Sequence, residues 1–371
     1  MYSNQDLDEA VAAGALDVTA AASLRNFLDG DRAAPAVDEE QFRLVTSFND
    51  IFVSIASLIL LFAVGWIGQT IAQALRLTIV GDGQPGPGFI GPLAVAATAW
   101  GLATFFTAKR RMALPSIILL LAFIGAVFAT ACLTIGVIVG AAFFENNVVG
   151  RNIVAATGAL VAAVAAYVHW RRFHVPITVA AGAAAVAGIV IALIAAALGD
   201  RVEGMKNIML GFVLLTGFAV FLFAMRWDAS DQARTTRRAD VAFWLHLLAA
   251  PMIVHPVFTL LGLNDGNATV GEGLVVVLLY VGLAVAALAI DRRALLVSAL
   301  AYVLYALTAL FRQIGAVELS VALTALIIGS ALLLLSAYWH QARRLIVVRL
   351  PHALQGKLPL LDRPLTLQPA A

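Results

Sequence analysis

Apolar runs of about 18 to 30 residues recur ten times along the chain, and short segments rich in Arg, Asp, Gly and Pro separate them. They lie at roughly 51–72, 89–108, 114–143, 152–169, 176–198, 207–225, 241–262, 273–290, 294–311 and 317–339. About 20 helical residues cross a hydrocarbon core of ~30 Å, so each run predicts one membrane span. The third run is long enough to tilt or to continue past the membrane. Pro115 and Pro176 fall near predicted helix starts, where a missing N–H costs little. Only "DRR", 291–293, joins the eighth and ninth runs, which makes those helices antiparallel neighbours. The predicted fold class is all-α: a polytopic transmembrane helix bundle of about ten spans with a small N-terminal helical hairpin. Residues 1–47 form the hairpin and a juxtamembrane segment, 48–340 the ten-span domain, and 341–371 a tail.

Composition agrees with a bilayer as solvent. Of the 371 residues 62% are hydrophobic and 12% charged, about half the charged share of an average soluble domain; mean hydropathy is +0.94. A net charge of +2 gives no footprint for nucleic acid. The distribution of cations says more. With the N-terminus inside, the interior segments hold 19 Lys and Arg and the exterior ones 5. The positive-inside rule then places both termini in the cytoplasm. No cleavable signal peptide is expected, since a polar, acidic segment precedes the first apolar run. The excess of Arg over Lys, with abundant Ala, points to a high-GC bacterium and hence to the inner membrane.

The first 47 residues differ in kind. "LDEAVAAGALDVTAAASLRNFLDG" reads as two short helices broken at Gly14, with Asp17 or Thr19 capping the second and Gly30 following its end. Leu7 and Val11, then Leu24, Phe27 and Leu28, give each helix an apolar stripe. So small a hairpin buries little on its own, which predicts docking on the membrane domain, a protein partner or a second copy; a solvated tail with transient helices is the plainer alternative. This hairpin with "AGALDVTAAASLRNFL", then "DEEQFRLVTSFNDIFV" leading into many apolar spans, resembles uncharacterised bacterial multi-pass membrane proteins grouped under a domain of unknown function. That resemblance implies a short cytoplasmic helical pair before the spans and implies no activity.

Two histidines stand in the seventh run, "WLHLLAAPMIVHPVF". At 1.5 Å per residue His246 lies roughly 9 Å from the inner end and His255 roughly 10 Å below the outer end. Pro251 frees the carbonyl of Leu247 and Pro256 that of Met252, which predicts a break near 252–256. Broken spans and intramembrane ionisable groups mark sites in transporters. A neutral histidine can instead donate to a freed carbonyl and act structurally, the role expected of His246. His255 shares its predicted depth with Tyr280 and Tyr305, and Glu272, Arg312, Gln313 and Glu318 lie above it. Together these predict a polar cavity open to the outside. Interfacial tyrosines and solvated rim charges are the bland alternative.

Other features carry less. Asn49 and Asp50 cap the first span; Gln69 and Gln73 share a face near its outer end and meet loops; "VGDGQPGPG", 80–88, is a turn-rich outer loop. "GAAAVAG", 182–188, is a small-residue packing face. The tail "RRLIVVRLPHALQGKLPLL" has the mixed character of a segment lying on anionic headgroups, and its arginines also serve as ordinary positive-inside flanks. Cys132, the single cysteine, rules out an intrachain disulfide and Cys-based zinc spacing. No Gly-x-Ser-x-Gly, His-Glu-x-x-His or paired-histidine haem arrangement occurs in any span. An enzyme is therefore unsupported, and no cofactor or metal is expected. Ten spans also fit two inverted halves of five, without a visible repeat. The expected partners are the bilayer, a protein at the hairpin and a small molecule that the sequence leaves unnamed. The function expected is a transporter-like or permease-like protein; the alternative is a membrane-anchored sensor or scaffold.

Overall fold

In the computed structural model the described residues are 11–14, 16–23 and 48–361, apart from 82–83, 202–203, 233, 235, 263–269, 294, 298–299, 301–302, 305–306 and 309–319. Helix α1 (Phe48–Ala74) leads through a hairpin of β1 (Thr78–Gly81) and β2 (Gln84–Gly88) into α2 (Ile90–Phe106) and α3 (Ala113–Val139). The short α4 (Ala141–Asn146) precedes α5 (Val148–Phe173), α6 (Ile177–Leu198), α7 (Lys206–Ala229) and α8 (Arg237–Leu260). Then follow α9 (Val270–Ile290), α10 (Ser320–Ala337), α11 (Trp339–Val347) and α12 (His352–Gln355). The chain is an all-α membrane protein. Helices α1, α3, α5, α6, α7 and α8 are each long and apolar enough to cross a bilayer.

Small residues decide how closely these helices approach. At the α1–α2 crossing a Cβ on Gly68 would come within 2.7 Å of the Gly91 Cα, so the two backbones touch. Helices α5 and α6 are joined by a three-residue turn that His174 opens in the left-handed conformation, and they pack through alanines. Ala156, Ala159, Ala162 and Ala166 are buried on α5, and Ala180, Ala187, Ala192 and Ala195 on α6. The small-residue face read at 182–188 serves that packing.

Where the sequence reads as turns, Thr78–Gly81 and Gln84–Gly88 are strands. They pair antiparallel, Thr78 with Gly88 and Gly81 with Gln84. Gln69 pins the hairpin from α1: its Nε2 donates to the Gly86 carbonyl at 3.0 Å, and its Oε1 accepts from the Gly88 N–H at 2.9 Å. Further along, the long third run ends at Gly140, whose φ of 81° stops α3 and redirects the chain into α4.

The expected break at Pro251 and Pro256 is absent, because α8 runs unbroken through both prolines. The carbonyl that Pro256 frees, on Met252, faces α7 at Gly217, where a Cβ would sit 2.9 Å away. Close backbone packing from α7 therefore covers the defect that would otherwise open the helix.

Towards the end of the chain α11 bends away from the span before it by 74°. It buries Trp339, Arg343 and Val347, one residue per turn, and so lays a single face on the bundle. At the other end, helical residues 11–12 stop at Gly14, φ 69°, and a second helical stretch begins at 18. Asp17 caps that stretch, accepting from both the N–H and the hydroxyl of Thr19.

Candidate functional site

The polar groups buried most deeply gather where α7, α8 and the turn after α9 meet. Asp228 stands in the last turn of α7, 1% exposed, and His246 on α8 is fully buried. His246 Nε2 lies 2.8 Å from Asp228 Oδ2. On its other side Asp228 Oδ1 accepts from Arg292 Nη2 at 2.5 Å, and Arg292 Nη2 also donates to the Ala239 carbonyl at 3.0 Å. The Phe221 ring closes over the imidazole with centroids 5.3 Å apart. Among the described residues Nδ1 of His246 has no hydrogen-bond partner.

A second ion cluster adjoins the first through the same turn. Asp291, held at φ 57°, accepts from Arg234 Nη1 at 2.8 Å and from the Trp339 indole N–H at 2.6 Å. Arg234 also donates to the Ile290 and Asp291 carbonyls, at 3.1 and 3.0 Å. Burial pushes the Asp291 carboxyl up, but the Arg234 and Arg343 guanidinia, the Trp339 N–H and His340 together hold it below its ordinary value. Arg343, 2% exposed, reaches from α11 to the Pro359 and Leu360 carbonyls at 2.6 and 3.1 Å. Gln232 Nε2 donates to the Gly356 carbonyl at 2.5 Å, and Leu360 N–H to the Gln232 carbonyl at 3.3 Å. Arg293 stacks over Trp339, 4.8 Å from the ring centroid. The loop after α7, the "DRR" turn and the tail, three segments far apart in sequence, thus form one knot at one end of the bundle.

This corrects the role expected of His246. Its ring nitrogen meets the Asp228 carboxylate, not a proline-freed carbonyl. The pairing also fixes a stagger. Asp228 is one residue from the end of α7 whereas His246 is nine residues from the start of α8. The first turns of α8 therefore run past the end of α7 by roughly 12 Å, and His246 lies level with the end of its neighbour.

The residues predicted to line an outer cavity are placed as follows. His255 sits on the exposed side of α8, between the buried Val254 and Pro256. Tyr280 is partly buried on α9, and among the described residues its hydroxyl has no hydrogen-bond partner. It lines a cavity of about 120 Å³ with Arg293, Ser336 and Trp339, which belong to the knot's end of the bundle. Tyr305, Arg312, Gln313 and Glu318 lie outside the described residues, as does the side chain of Glu272.

Sequence reasoning passed over Asp228, Asp291, Arg292, Arg234, Arg343 and Trp339, reading the charges only as flanks. The available signal was the acids: Asp228, Asp231, Asp240 and Asp291 stand among the arginines of two segments between apolar runs. It also passed over His169, 1% exposed and packed among Trp100, Phe123 and Phe173, with Nδ1 3.3 Å from the Thr178 hydroxyl. Among the described residues no cluster of His, Cys, Asp or Glu could hold a metal ion. Searches against protein-family models, curated proteins and solved structures returned no match to this chain.

Proposed function

We propose that this chain is a transporter-like protein of the bacterial inner membrane, with ten spans and both termini cytoplasmic, whose working element is the Asp228–His246–Arg292 triad. The observation that carries the reading is a carboxylate, an imidazole and a guanidinium sealed together between two apolar helices and a turn. Replacing such a set by well-packed hydrophobic residues is often neutral or stabilising, so stability alone is a weak reason to keep it. Ionisable groups within spans belong by default to ion or substrate pathways. The triad joins three segments that must separate if α7 and α8 rock against the turn after α9, and His246 retains one nitrogen able to take a proton.

The count of ten is supported by α2, α9 and α10, which lie in the second, eighth and tenth predicted runs. Residues 295–297, 300, 303–304 and 307–308, within the ninth, are helical. The N-terminal break at Gly14 supports kinship with multi-pass proteins that begin with a short helical pair.

The test is charge movement. Full-length protein reconstituted in vesicles on a solid-supported membrane should give a solute-dependent current in a screen of small metabolites, and the pH dependence of that current should vanish in His246→Leu. A folded protein silent across the screen overturns the reading.

A second reading has its own observation. The two larger cavities described have apolar linings, as a bundle that merely holds a partner-binding hairpin would have. Specific retention of a cytoplasmic protein by the full chain, lost on deletion of residues 1–36, would favour that scaffold.

A further inference from the structure

The largest of these cavities is a groove of about 670 Å³ between α5, α6 and α7, and its position says what fills it. One end is marked by Trp170, Thr178 and Trp227, where α5 ends, α6 begins and α7 ends. The other stops at Val190 and Leu215. From Leu215 to Trp227 the helix rises about 18 Å, close to the ~15 Å of one leaflet's hydrocarbon. A partner's transmembrane helix needs a groove twice as long. A single acyl chain does not.

The aromatic end also carries charge. Tyr167 lines the groove, and Arg171 is fixed above it, with Nη1 donating to the Tyr167 hydroxyl at 3.1 Å and the guanidinium 5.9 Å from the ring. Arg226 immediately precedes Trp227 in the last turn of α7. Neither arginine has a carboxylate within ion-pairing distance among the described residues, unlike Arg234 and Arg292 nearby. Tryptophan and tyrosine at this depth mark the headgroup level, and cations there attract anionic lipid. The lining hydroxyls are already engaged, Thr216 with the Phe212 carbonyl and Thr178 with His169, which leaves the groove itself apolar.

We infer that this groove binds one anionic phospholipid of the leaflet on the arginine side, with an acyl chain between α6 and α7 and the phosphate at Arg171 and Arg226. The inference needs only that the chain is embedded in a membrane, so it stands or falls apart from transport.

The experiment is native mass spectrometry of the full-length protein released from nanodiscs of equimolar dioleoylphosphatidylglycerol and dioleoylphosphatidylcholine. Wild type should retain one phosphatidylglycerol in clear preference. Arg171→Gln should cut that preference about fivefold. Ala219→Phe, which fills the groove from α7, should remove the retained lipid whatever its headgroup. Val186→Phe, at an exposed lining position on α6, fills it from the other side and should act alike, which guards against misfolding of either variant. Equal retention of the two lipids by wild type, or undiminished retention when both filling variants are folded, overturns the inference. So does a lipid-free dimer that Ala219→Phe converts to monomer, since a second copy would then occupy the groove.

Discussion

Asp228 accepts from an imidazole on one side and a guanidinium on the other, so removing it strands two groups that water does not reach. Asp228→Ala should lower unfolding stability by about 3–5 kcal/mol, read from denaturation of the detergent-solubilised protein. His255→Leu is the contrast: on the exposed side of the same helix it should stay within about 0.5 kcal/mol. A large loss at His255, or none at Asp228, would show that the triad is not the buried anchor of this end. That His246 sits in a span was legible from its apolar neighbours. Its partner was not, since Asp228 is 18 residues away and looks like a loop acid. Whether Asp228 or Asp231 meets the imidazole depends on how far α8 slides along α7, and that stagger is set by Gly217 against Met252 rather than by any local pattern.

Among the elements, those that bury a continuous apolar face were readable and those that depend on a distant partner were not. The runs behind α1, α3, α5, α6, α7 and α8 announced spans through length alone. Two prolines in α8 announced a break that close packing against α7 suppresses. Helix α11 was hidden, because "WHQARRLIV" mixes cations with aliphatics as any positive-inside flank does. Its docking follows from Asp291. The folded carboxyl lies below its ordinary value of 3.8, so its contribution is fully present above that value and is lost as pH falls through the lower, folded one. Hydrogen exchange of residues 339–361, corrected for intrinsic rates, should therefore stay slow down to about pH 4 and quicken only below it. Asp291→Asn should quicken it at neutral pH already. Equal exchange in the two proteins at pH 7 would show that Asp291 does not hold α11.

At the scale of the molecule, the two ends of the bundle divide the work: a small β hairpin closes one, and the ion knot closes the other. In the orientation proposed above, drawn from the 19-to-5 division of basic residues, the knot faces the cytoplasm. In a Cys132→Ser background, Ser230→Cys should then be protected from an impermeant thiol reagent in intact cells, and Asn267→Cys should be labelled. The reverse pattern would invert the protein. The knot also has an order in time. Arg292 leaves the ribosome 64 residues after the carboxylate it neutralises, which at about 5–20 residues per second is a delay of roughly 3–13 s. Through that interval α7 and α8 can already pack at Gly217 and Met252, but of the triad only Asp228 and His246 can meet. A nascent chain arrested before the turn after α9 therefore lacks the guanidinium that Asp228 meets in the finished fold.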